Sequence, residues 1–175
     1  YNLPIIIARQ NPAYKSFISD SERISQNFFA NLRQAVANGK RAIPLKSLVP
    51  ENWDTVCYLY EYSIPHWSLN QDYYLSKYYS ILRAVPNIEE GDGALVFVTD
   101  EKVLALIRGR DYLNIEYLTE RCAPRDKAKL LAVPVDARLS LEQSIAARPR
   151  PTLSDFKVLG RCRDKVNCDF IFTGD

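Results

Sequence analysis

The stretch at residues 92–118, DGALVFVTDEKVLALIRGRDYLNIEYL, is where the fold is decided. Two apolar runs, ALVFV and VLALI, flank a turn around Asp100 and Glu101, and Gly109 precedes a third run ending in IEYL. Apolar runs of this length, rich in Val, Ile and aromatics and bounded by turn residues, read as strands. Connections this short join antiparallel neighbours, because parallel neighbours need a crossover of a dozen residues or more. The spacing therefore predicts an antiparallel meander of three strands.

Working outward, residues 19–40 carry Ile24, Phe28, Leu32 and Val36 at intervals of four. That is one face of a helix, with Asp20 or Ser21 as its cap and Gly39 as its stop. Residues 54–63, DTVCYLYEYS, alternate and predict a strand, with Thr55, Cys57 and Leu59 on one face and Val56, Tyr58, Tyr60 and Tyr62 on the other. Residues 66–87 return to helical spacing through Leu75, Tyr79 and Leu82, with Ser68 and Gln71 in capping-box register and Pro86 as the stop.

Residues 1–10 are expected to form a short edge strand limited by Pro4 and Pro12. Pro134 demotes the run AKLLAVPVDARL to an edge strand, and a short helix opens after Ser140. Two final strands are expected at 156–161 and 169–172, joined by a turn that Cys162 and Cys168 bracket. The fold class is α+β: a mainly antiparallel sheet with two longer helices and one short helix packed against it, in a single domain over 1–175.

Composition limits function. The 175 residues are 47% hydrophobic and 25% charged, and the net charge is +2. Lys and Arg number 9 against 10 Asp and Glu up to residue 100, and 14 against 11 after it, so neither half forms the basic face of a nucleic-acid binder. No run approaches the length of a membrane span. The chain begins at Tyr1 rather than at an initiator Met, so an upstream segment is expected to have been removed, either by a signal peptidase on export or by deliberate trimming of the chain. Membrane association is then expected only through a removed N-terminal anchor.

Cys57, Cys122, Cys162 and Cys168 lack zinc spacing, and His66 is the lone histidine. No cofactor is expected. Nor do Cys162 and Cys168 form the C-x-x-C of a redox centre. A disulfide across the last turn or two thiols in a reducing cytosol remain, and the Cys162–Cys168 disulfide is the expectation adopted here.

Candidate binding residues are aromatic. Trp53 either anchors a partner or packs on the helix while Asp54 caps a turn. Tyr58, Tyr60 and Tyr62 line one strand face, Trp67 follows in a loop, and Tyr73, Tyr74 and Tyr78 sit on successive helical turns. Tyr is enriched at interfaces because it offers large contact area and one polar tip at small entropic cost. The competing reading puts the same residues between sheet, helix and loop.

For catalysis, His66 beside Cys57 lacks a marked orienting group, and Glu89, Glu90 and Asp92 lack the alternation of a calcium loop. Trp53, Asp54 and Val56, then Leu95 to Val98, then Lys102, Val103 and Arg110 resemble a loose group of small bacterial exported proteins and lipoproteins. In that group a Trp-Asp strand tends to be followed by Gly-Pro-Tyr, where this chain has Tyr60-Glu61-Tyr62. The resemblance implies an envelope location and brings no activity with it.

The expected function is that of a non-catalytic periplasmic or secreted protein that binds another protein. An immunity-type inhibitor of a secreted toxin or an envelope accessory protein fits that description. The alternative is a small hydrolase of cell-envelope material using Cys57, His66 or the acids at 89–92.

Overall fold

A computed structural model describes residues 3–59, 75, 77–82, 84–85, 93–108, 115–117, 122–134 and 168–174. Its elements in chain order are α1 (Leu3–Gln10), α2 (Pro12–Ala37), β1 (Ala42–Pro44), α3 (Leu45–Leu48), β2 (Thr55–Leu59), α4 (Tyr79–Leu82), β3 (Ala94–Val98), β4 (Val103–Arg108), β5 (Ile115–Tyr117), β6 (Cys122–Pro124), β7 (Lys129–Pro134) and β8 (Cys168–Thr173). The strands form two sheets, ordered β4-β3-β2-β6 and β1-β7-β8-β5. Among the described residues every pairing is antiparallel except β5 with β8, so the chain is α+β and mainly antiparallel.

The long helix starts earlier than the apolar stripe alone predicts. Asn11 caps α2, its side-chain oxygen accepting from Ala13 N at 2.9 Å, and Pro12 takes the first-turn position where a missing N–H costs nothing. Asp20 and Ser21 therefore lie inside the helix. Tyr14 and Phe17 extend the buried stripe of Ile24, Phe28, Leu32 and Val36 toward the N-terminus. At the other end Lys40 N donates to Ala35 O and Gly39 N to Val36 O, and Gly39 takes φ 73°. This is a Schellman stop, whose left-handed residue favours glycine.

Residues 3–10 form α1 and not the expected edge strand. Pro4 falls in its first turn, where helices tolerate proline. Ala8 packs into the core and Arg9 Nε donates to Ala84 O at 3.2 Å, so docking overrides the β preference of three successive isoleucines.

Both faces of the β4-β3-β2-β6 sheet are covered. Val56, Tyr58, Leu95, Phe97, Ala105, Ile107 and Ala123 face a first apolar cluster, which Ile43, Leu130, Ala132, Phe170 and Phe172 of the other sheet enter from their side. Cys57, Leu59, Ala94, Val96, Val98, Val103 and Leu106 face a second cluster closed by Tyr14, Phe17, Leu75, Tyr78 and Leu82. Strands buried on both faces read as unbroken apolar runs, as ALVFV and VLALI do. A bulge between Phe97 and Val98 sets Leu104 as the extra residue of β4, which lets Val103 and Ala105 serve opposite clusters. Fully burying a side chain such as Phe28 or Leu32 contributes about 1.5–3 kcal/mol.

α2 passes across the outer side of β4, feeding Tyr14 and Phe17 to the second cluster and Ile24, Phe28 and Leu32 to the first. At the crossing, Ser21 Oγ accepts a buried hydrogen bond from Leu106 N at 3.0 Å. This explains why the predicted meander stops at two strands. With the edge of β4 taken by a helix, the third run leaves as β5 and pairs parallel with β8 in the other sheet.

Other expectations also shift. β7 is interior, between β1 and β8, although Pro134 was expected to confine it to an edge. β1 pairs with Lys129, Leu130 and Leu131, so Pro134 lies beyond it and, among the described residues, pairs with Cys168 alone. Residues 169–172 fall within β8 as expected. The strand expected at 156–161, the Cys162 side of the expected disulfide, the short helix after Ser140 and the helix start at 66–74 lie outside the described residues.

Replacing Ser21 by Ala should strand the Leu106 N–H in the core and destabilise by about 1–3 kcal/mol. Ser16→Ala, on the exposed side of the same helix, should stay within about 0.5 kcal/mol. Urea unfolding followed by circular dichroism measures both.

Candidate functional site

Three of the eight aromatic candidates are described in full. Trp53 is 1% exposed, and Tyr58 and Tyr78 are each 6% exposed. Trp53 donates from Nε1 to Val49 O at 2.9 Å and meets Phe97 edge to face, with ring centroids 5.0 Å apart. Tyr58 faces the first cluster and Tyr78 the second. These three therefore build core rather than contact surface. Tyr60, Tyr62, Trp67, Tyr73 and Tyr74 lie outside the described residues, as do His66, Glu89, Glu90 and Asp92.

Around Trp53 the structure gathers charge that sequence spacing could not bring together. The Arg125 guanidinium lies over the Trp53 ring, 5.6 Å from its centroid, and donates to Pro50 O at 3.3 Å. Glu51 accepts from Arg23 of α2 at 3.2 Å, and Arg23 also lies 3.6 Å from Asp20. A guanidinium on an aromatic face is favourable by about 0.5–1 kcal/mol at such partly exposed sites. Here it covers the indole rather than offering it to a partner.

A second polar group organises the β3–β4 turn. Asp54, expected to cap a turn, does so: its Oδ2 accepts from Asp100 N at 3.0 Å while its own N–H donates to Val98 O. Thr99 Oγ1 accepts from Glu101 N and Lys102 N, the local side-chain turn that threonine favours. Tyr78 donates its hydroxyl to Thr99 O, and Lys77 Nζ donates to Asp100 O at 2.9 Å while resting 5.0 Å from the Tyr78 ring centroid. Three segments distant in sequence meet at one end of the sheet.

The interaction with Tyr78, followed by the charges of Asp100 and Asp54, raises the Lys77 pKa above its ordinary value against a desolvation penalty. Among the described residues no group of three or more His, Cys, Asp or Glu side chains is placed to hold a metal ion.

The chemistry-bearing pair that the sequence left unassigned is Cys57 with Cys122. They stand directly opposite each other on β2 and β6 and form a disulfide, with Cα atoms 4.0 Å apart and a sequence separation of 65. Cys57 is fully buried and Cys122 partly so. The bonded Cys57 is not available as the nucleophile of a Cys–His pair. Closing a loop of this length restricts the unfolded chain by about 4 kcal/mol in the chain-entropy account. No helix among the described residues is long and apolar enough to cross a membrane.

The sign of the Lys77 effect follows from its raised pKa: its contribution is complete below the unfolded value and is lost as pH rises through the folded one. Lys77→Gln should therefore lower Tm slightly near neutral pH, with the gap to the parent closing in strongly alkaline buffer. Thermal melts of both proteins across that range would check it.

Neither a family model nor a curated protein nor a solved structure matches this chain.

Proposed function

We propose that this protein works in an oxidising compartment, the periplasm or the cell exterior, by binding another protein. The observation that carries the reading is the Cys57–Cys122 disulfide set into the central sheet. Structural disulfides form and persist outside the cytosol and are rare within it. A sheet whose edge strand is held by such a bond suits that environment.

The binding half of the proposal rests on the sequence that continues from β2. Leu59 ends a doubly buried strand, and the chain then runs through Tyr60, Tyr62, Trp67, Tyr73 and Tyr74 before Leu75 returns to the second cluster. With Trp53, Tyr58 and Tyr78 committed to the core, the contact role falls to these five aromatics. An immunity-type inhibitor of a secreted toxin and an envelope accessory protein are the two kinds of protein this reading favours. A hydrolase of envelope material would have to act without Cys57, which is bonded.

Two measurements test the halves separately. Alkylation of the natively produced protein before and after reduction, with peptide mapping, should find Cys57 and Cys122 protected until reduction; free thiols at both positions would remove the compartment reading. Affinity capture from native envelope extract should recover a stoichiometric partner. Tyr60→Ala, Tyr62→Ala and Trp67→Ala together should abolish that recovery, and an undiminished yield would remove the aromatic segment as the contact.

A further inference from the structure

β6 is three residues long and, among the described residues, lies at the outer side of its sheet and pairs with β2 alone. One of its residues, Pro124, has no N–H to contribute. Backbone pairing by itself holds such a strand weakly. Yet β6 carries contacts on which both sheets draw. Ala123 belongs to the first cluster, and Gly174, just beyond β8 of the other sheet, sits so close that a Cβ there would come within 2.8 Å of the Ala123 Cβ. Arg125, the next residue after β6, donates its N–H to Asp54 O at 2.9 Å and covers the Trp53 ring. Further on, Ala128 is anchored separately, its carbonyl accepting from Leu45 N. The segment at 122–127 is thus a short bridge that runs into the anchored Ala128 at its C-terminal end.

We propose that the Cys57–Cys122 bond is a redox-operated latch for this bridge. Closed, it seats β6 on β2, brings Ala123 against Gly174 and places Arg125 over Trp53. Opened by a dithiol reductant, it releases 122–127 while α2 and the β3–β4 hairpin keep their places. The asymmetry of the bond sets the order of events. Cys122 is the partly accessible side, so a reductant thiolate attacks Cys122 Sγ and expels Cys57 as a thiolate, which takes up a proton. The second thiol of the reductant then resolves the mixed disulfide, freeing the Cys122 thiol. Two electrons come from the dithiol, which ends as its own cyclic disulfide.

Two unbonded sulfurs need more room than a bonded pair, and Cys57 is fully enclosed by the second cluster. Overpacking in an enclosed site is relieved by whichever neighbour can move. The short outer strand is that neighbour, since β2 is held on its other side by all five residues of β3. The latch goes beyond the binding role proposed above and does not depend on it.

Hydrogen exchange with mass spectrometry on the whole protein, oxidised and after dithiothreitol, tests the latch. Amides at 122–127 should exchange at least about tenfold faster after reduction, as in local opening, while those of α2, β3 and β4 change by less than about twofold. Unchanged protection at 122–127 would overturn the proposal. So would a uniform loss across α2, β3 and β4, which would make the bond a staple of the whole fold. Repeating the comparison in Cys162→Ser/Cys168→Ser confines the effect to this pair: the same local opening supports the latch, and its disappearance there overturns it.

Discussion

Leu106 directs a backbone N–H toward the open side of an edge strand, and Ser21 of α2 accepts it. An unpaired buried N–H costs about as much as a lost hydrogen bond, and an uncovered strand edge invites pairing with other chains. The Ser21 hydroxyl answers the first demand, and the helix that carries it lies across the edge. The hydrogen bond fixes where α2 crosses β4, and that crossing determines which apolar residues of the helix reach each side of the sheet. Tyr14 and Phe17 precede it and Ile24, Phe28 and Leu32 follow it, so a single helix closes two clusters.

The opposite edge is handled by different chemistry. There the strand is short, includes a proline and is joined to its neighbour covalently through Cys57 and Cys122. One edge of the sheet therefore has a helix across it, and the strand at the other is tied inward to its neighbour by an oxidised cysteine pair. The helix side has a long buried stripe behind it. The cysteine side depends on a bond whose persistence varies with redox conditions.

The polar groups of the described region serve to position backbone. Asp54 and Thr99 shape the β3–β4 turn, Lys77 and Tyr78 fasten the segment before α4 to that turn, and Arg125 shields Trp53. Each of these side chains resembles a site residue when seen in isolation. Their partners are main-chain carbonyls and amides, a core indole or one another, which is the pattern of a scaffold.

Local periodicity by itself determined the apolar face of α2 from Ile24 to Val36, its glycine stop, the strands ALVFV and VLALI and the turn between them, and with these the α+β class. The helix stripe repeats at intervals of four residues and the two strands are unbroken apolar runs bounded by turn residues, so each element encodes its signal within its own length. The tertiary structure alone decided the rest. Whether Tyr58 and Tyr78 face solvent or core depends on cover over both faces of the sheet, because a tyrosine suits either setting. β5 joined the second sheet because α2 already held the edge of β4. Cys57 met Cys122 across a sequence separation of 65 because β2 and β6 pair in that register. Pairing between strands so far apart depends on the packing of everything between them, and no local spacing records it.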